Sequence, residues 1–144
     1  TWTGIVKPLR AVIGNDCGTL INPDMAAGQL EGGLSRGMGF ALYEDNSYDE
    51  QGQLDSRGYW IDAKIPGLME SPSLDQITLQ FAHTEEPTGP LGAKGIGEAA
   101  LNPVPAAFAN AIYNAIGIRF YELPITPEKI LKALHATAEK EPVR

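Results

Sequence analysis

The residue types best suited to chemistry gather in EEPTGPLGAKGIGE, residues 85–98, where Gly92, Gly95 and Gly97 fall within six residues and a carboxylate, Glu98, closes the run. Lys94 sits among them. A Gly-rich run that leads into a helix can offer backbone N–H groups to an anion. Spacing excludes the two best-known nucleotide devices. GPLGAKG lacks the GK[ST] ending of a phosphate-binding Walker loop, and GAKGIGE reads G-x-x-G-x-G, the reverse of the dinucleotide fingerprint, with no parallel βαβ unit legible around it. What remains is a loop of small residues that lets a ligand's polar edge reach the backbone, with Glu98 held at its end where a helix is expected to begin. At a helix N-terminus a carboxylate is stabilised by about 0.3–1 kcal/mol and needs no other role. Lys94 reads equally as a solvated loop charge, and Gln29 as an ordinary polar helix position.

A second Gly-rich stretch is NPDMAAGQLEGGLSRGMGFALYED. Met25, Leu30, Leu34, Met38, Ala41 and Leu42 recur close to helical spacing, Asn22 is placed to cap and Pro23 stands at the first helical position, so the pattern predicts a helix over residues 23–43. Gly28, Gly32, Gly33, Gly37 and Gly39 lie inside it. Each interior glycine costs about 0.5–1 kcal/mol relative to alanine, so something must approach that backbone closely. Two readings stand side by side: tight packing on a neighbouring element, or a bound cofactor whose bulk leaves no room for a Cβ.

Other elements must position these two stretches. GIVKPLRAVIGNDCG reads as a strand ending in turn chemistry at Asn15, Asp16 and Gly18, and YWIDAKIPG and QITLQFAHT read as two more. A helix starting within residues 98–105 carries Val104, Phe108, Ala111, Ile112, Ala115 and Ile116 on one face and stops at Gly117. IRFYELP supplies a short strand, and TPEKILKALHATAE a last helix with Thr126 as N-cap, Pro127 at the first position, Glu128 in the first turn and Ile130, Leu131 and Leu134 inward. The order β, α, β, β, α, β, α predicts an α+β fold: a small mixed or antiparallel sheet packed with about three helices.

Length and composition bound the rest. The 144 residues suit a single domain over 1–144, and apolar content of 43% with 20% charged residues marks a folded globular chain. A net charge of −7 disfavours nucleic acid and anionic membranes. No apolar run is long enough to cross a bilayer. One cysteine, Cys17, excludes an intrachain disulfide and, with His83 and His135, leaves no cluster for zinc or iron–sulfur, so no metal ligand is expected and a reducing, cytoplasmic compartment is. The chain opens on Thr1 rather than Met and enters a strand almost at once, as a piece of something longer cut on the left would.

The segments NDCGTLINPDMAAGQLEGGLSRGMG, KIP at residues 64–66, EPTGPLGAKGIGE followed by PAAFANAI, and the ending P-x-TPEKIL resemble, in this order, the C-terminal part of the molybdenum-binding subunit of the xanthine dehydrogenase, aldehyde oxidase and carbon monoxide dehydrogenase family. The wording of the loop is similar to the bacterial branch. The resemblance implies a molybdopterin-dependent oxidoreductase that hydroxylates a carbon centre with water-derived oxygen, the cofactor being molybdopterin in its plain or its cytosine dinucleotide form. It implies that Glu98 is the catalytic glutamate, a base that takes a proton from a hydroxyl held by the metal. It further implies that Gln29 contacts the cofactor and that the backbone of Lys94, Gly95, Ile96 and Gly97 wraps close to it. Iron–sulfur and FAD groups would sit in partner domains or subunits, and the remainder of the molybdenum subunit and a small-molecule substrate would complete the partners.

Family subunits are several times longer than this chain, so it would supply one wall of the site and be inactive alone. An exposed apolar patch where the missing part docks, and homo-oligomer formation through it, are further expectations. Two other readings compete: a binding module without enzymatic activity that keeps the fold, and a purely structural domain.

Overall fold

A computed structural model describes residues 3–54 and 64–138 of the chain. They form β1 (Ala11–Asn15), α1 (Pro23–Leu42), β2 (Ile77–Phe81), α2 (Val104–Ile116) and α3 (Pro127–Ala138), with single 3₁₀ turns at Leu74–Gln76 and Pro90–Gly92. The α+β class and the three helices are as the sequence pattern predicts. The chain divides into two compact units, one of Pro8–Gly37 and Pro66–Val104, the other of Thr1–Lys7, Met38–Ile65 and Pro105–Arg144.

The first unit holds the sheet. β1 and β2 run parallel, Ala11 opposite Ile77 and Asn15 opposite Phe81. The expected mixed or antiparallel sheet is not found among the described residues, whose antiparallel pairing is confined to isolated bridges, Gly18 with Ala93 in this unit and Tyr48 with Leu54 in the other. Parallel strands need a long crossover, and the connection here carries α1. A parallel β-α-β arrangement is therefore present where none was legible, but the Gly-rich loop follows its second strand, not the first, so it does not occupy the dinucleotide-loop position. α1 starts as its cap residues dictate: the Met25 amide donates to Asn22 Oδ1 at 3.0 Å and the Ala26 amide to the Asn22 carbonyl at 3.0 Å. Leu30 and Leu34 are buried on one face, whereas Met25, expected on the same stripe, is 70% exposed.

The second unit closes a core from Met38, Ala41 and Leu42 of α1, Ile112 of α2, Ile125, and Ile130 of α3, with Phe108, Ala109, Ile116, Phe120 and Leu134 packed against it. Ala111 and Ala115 are exposed, so the buried stripe of α2 runs through Ala109 instead. α2 stops at Gly117, whose φ of 71° lies in the left-handed region that favours glycine. α3 is capped by Thr126, whose hydroxyl accepts from the Lys129 amide at 3.3 Å.

Two expected strands need correction or lie outside the described residues. IRFYELP is not a strand. Its polar groups are met otherwise: Arg119 donates to Asn110 Oδ1 at 2.6 Å and stacks on the Tyr113 ring at 3.9 Å, and the nearby Ile125 amide reaches the Ala41 carbonyl at 2.7 Å. Residues 59–63 of YWIDAKIPG lie outside the described residues, and Lys64–Pro66 within them are not extended sheet. No described helix is long and apolar enough to cross a membrane.

Candidate functional site

The Gly-rich loop is fastened to the end of β1. Asp16 Oδ1 accepts from the Gly18 amide at 3.0 Å and from the Thr84 hydroxyl, while Oδ2 accepts from Lys94 Nζ at 2.8 Å. Backbone bonds reinforce the join: the Thr19 amide to the Gly92 carbonyl at 2.9 Å and the Lys94 amide to the Cys17 carbonyl at 2.7 Å. The Lys94 ammonium, then the Thr84 hydroxyl and the Gly18 amide, hold the Asp16 carboxyl down to about 2. Two glycines make this close approach feasible. Gly18 has φ 66° and Gly92 φ 78°, and a Cβ on Gly92 would come within 2.7 Å of Thr19 Oγ1.

Beyond the loop, residues 97–103 form consecutive turns, with the Leu101 amide donating to the Glu98 carbonyl at 3.1 Å and the Val104 amide to the Leu101 carbonyl at 3.2 Å. Glu98 thus lies upstream of α2 and not in its first turn, which removes the helix-terminus account of that carboxylate. Glu98 instead borders an open cavity of about 150 Å³. Gly28, Gly32 and Gly33 of α1 line it without side chains, Gln29 and Arg36 line it from the same helix, and Gly97, Glu98 and Leu101 complete it. Arg36 Nη1 donates to Glu98 Oε1 at 3.2 Å.

Four of the helix glycines separate into two kinds. A Cβ on Gly33 would stand 2.7 Å from Ala100 Cβ, and one on Gly37 would collide with the Val104 side chain, so these two answer to packing. A Cβ on Gly28 or Gly32 would meet nothing within 4 Å. Both readings of the glycine stretch therefore keep a place, at different residues.

Of the expected site residues, Gln29, Gly97 and Glu98 come together on the cavity. Lys94, Gly95 and Ile96 are not among its lining residues, and the Lys94 ammonium is committed to Asp16. Arg36 is the residue that sequence reasoning missed. Its signal was available: Gln29, Gly32, Gly33 and Arg36 follow i, i+3, i+4, i+7 spacing, which places them along one helix face. Among the described residues no group of three or more His, Cys, Asp or Glu side chains could hold a metal ion. The arrangement offers an amide, a guanidinium and a carboxylate around a floor stripped of side chains.

Comparison with known proteins gives the family. A family model described as molybdopterin cofactor-binding domain matches residues 1–72. The large subunit of nicotine 6-hydroxylase from Paenarthrobacter nicotinovorans is 38% identical over 136 residues, which is 91% of this chain and 16% of that protein. The xanthine dehydrogenase molybdenum-binding subunit of Escherichia coli is 34% identical over 121 residues, 84% of this chain and 16% of that subunit. Among solved structures, CO dehydrogenase from Oligotropha carboxidovorans superposes with a TM-score of 0.83 at 29% identity, covering 96% of this chain and 17% of that one. The chain thus spans 16% of the length of these two curated relatives.

Proposed function

We propose that this chain, which belongs to the molybdopterin cofactor-binding domain family, supplies one wall of the molybdopterin site of a molybdenum hydroxylase, with Glu98 as its general base. The observation that carries the reading is the cavity on which Gln29, Arg36 and Glu98 converge over Gly28 and Gly32. The residues present fit a bulky, polar-edged group. Glycines that no atom of their own unit crowds leave space that a Cβ would fill, and the Gln29 amide can both donate to and accept from a heterocycle edge. When bound, the cofactor supplies the two-electron redox chemistry and the activated oxygen.

The protein's own contribution is positional and acid–base. Gln29 orients what lies over the glycine floor, and the loop backbone at Gly97 lets it approach without steric cost. Glu98 projects its carboxylate into the same space and takes up a proton there as oxygen is transferred to the substrate carbon. The opposite wall, the electron-transfer groups (iron–sulfur and FAD in partner domains or subunits) and the contacts that choose the substrate belong to the remainder of the subunit and its partners. That remainder would also cover apolar side chains such as Leu68 and Met69, which are 92% and 91% exposed here. The chain alone is accordingly inactive.

The test is Glu98→Gln in the assembled enzyme, which removes the proton acceptor while keeping its shape. Turnover should fall about 10²–10⁴-fold, as is typical of general-base loss, at unchanged molybdenum content. Turnover within severalfold of the wild type would remove Glu98 from the reaction.

A further inference from the structure

We propose that Arg36 is a positioning residue for Glu98: its guanidinium holds one carboxylate oxygen so that the other is presented to the cavity. The inference rests on the reading of Glu98 as the base and adds a residue to it. Three observations carry it.

The first is the contact itself, Arg36 Nη1 to Glu98 Oε1 at 3.2 Å, which leaves Oε2 as the oxygen able to take up a proton. The second is where the two residues come from. Arg36 is anchored on α1, a regular helix, whereas Glu98 is carried by the turns of residues 97–103 with its side chain 76% exposed. A carboxylate on such a segment has several rotamers open to it, and a planar guanidinium fixed to a helix narrows that choice. The third is the floor between them. Gly32 and Gly33 precede Arg36 on the same helix and line the same cavity, so neither position puts a side chain between the guanidinium and the space Glu98 faces.

Stability is not a sufficient account of the pair. An ion pair with side chains 59% and 76% exposed contributes little to folding, because solvent screens it and two long side chains must be immobilised. Arg36 and Glu98 are also the single cation and the single anion among the described residues lining the cavity, so their pairing sets the charge geometry there. A group that aligns the base affects the barrier more than the affinity, since misplacement of a reacting group by about 1 Å can cost on the order of 100-fold.

The experiment is a double-mutant cycle in the assembled enzyme, using Arg36→Met, Arg36→Lys, Glu98→Gln and the Arg36→Met/Glu98→Gln pair. Molybdenum content and thermal midpoint are measured for each variant. Arg36→Met should lower kcat about 10–100-fold with KM within about threefold and with metal content and midpoint unchanged. Arg36→Lys, which keeps a charge but loses the fork, should recover part of the loss. In the Glu98→Gln background, Arg36→Met should cost nothing further, because the group it positions is gone.

Near-normal kcat in Arg36→Met while Glu98→Gln is crippled would overturn the positioning role and leave the base intact. An equal loss in both backgrounds, or loss of molybdenum in both Arg36 variants, would also overturn it, since Arg36 would then act independently of Glu98. Near-normal turnover in Glu98→Gln would instead sink the underlying reading of the base, a separate failure.

Discussion

Along α1, Gly33 and Gly37 meet the opposite surroundings from Gly28 and Gly32. The first pair is pressed against Ala100 and Val104, so its lost side chains are repaid by close backbone approach. The second pair faces open space on the cavity that Gln29 and Glu98 share. Every interior glycine carries the same entropic cost in a helix, about 0.5–1 kcal/mol, and for Gly28 and Gly32 nothing within their own unit offsets it. What distinguishes a packed glycine from an open one is therefore the space in front of it and not the residue type, and both kinds stand within a few turns of one helix.

The sharpest way to break this contrast is at the packed pair. Gly37→Val drives a branched side chain into Val104 and should lower stability by about 1–3 kcal/mol, read from thermal or urea unfolding. A neutral result would show that this packing gives way easily and that the distinction between the pairs is shallow. At the open pair the sign reverses. Gly28→Ala and Gly32→Ala should each stabilise the chain by about 0.5–1 kcal/mol while lowering molybdenum retention in the assembled enzyme. Stabilisation with full metal content would leave the open glycines without a ligand to make room for.

The smallest effect tests the join that holds the loop opposite those glycines. The Asp16 carboxyl titrates at about 2 in the folded chain, against about 3.9 in an unstructured one. Its contribution is therefore complete above about pH 4 and is lost as pH falls through about 2. The stability difference between wild type and Asp16→Asn should be constant near neutrality and shrink from about pH 4 to about pH 2. It should be modest throughout, because Asp16 is 41% exposed. A difference that persists unchanged at the acid end would mean that Asp16 holds the loop by shape alone.

Much of this architecture is legible in the amino-acid sequence. Asn22 and Pro23 mark the start of α1, Gly117 the end of α2, and Thr126 and Pro127 the start of α3, because caps act on backbone groups within a turn of themselves. The parallel sense of β1 and β2 is not legible, since it depends on how a long connection returns. IRFYELP misleads because its apolar residues look like a strand, while the side chain of Arg119 and the packing of Phe120 tie it down without a ladder. Of the residues lining the cavity, motif wording singles out Gln29, Gly97 and Glu98, whereas Arg36 needs the helix face to be traced outward from Gln29. The resemblance assigns Lys94 through its backbone, and the partner of its ammonium, Asp16, lies 78 residues away in sequence and is not legible from the motif.

Cys17 sits inside the loop join, between Asp16 and Gly18, with its carbonyl receiving the Lys94 amide and its side chain 4% exposed. The consequence is kinetic. With the residue this buried, a thiol reagent reaches the sulfur only through local opening, so the rate of alkylation reports how often this part of the chain opens. The chain thus contains its own reporter of that opening, at a position where no label need be introduced.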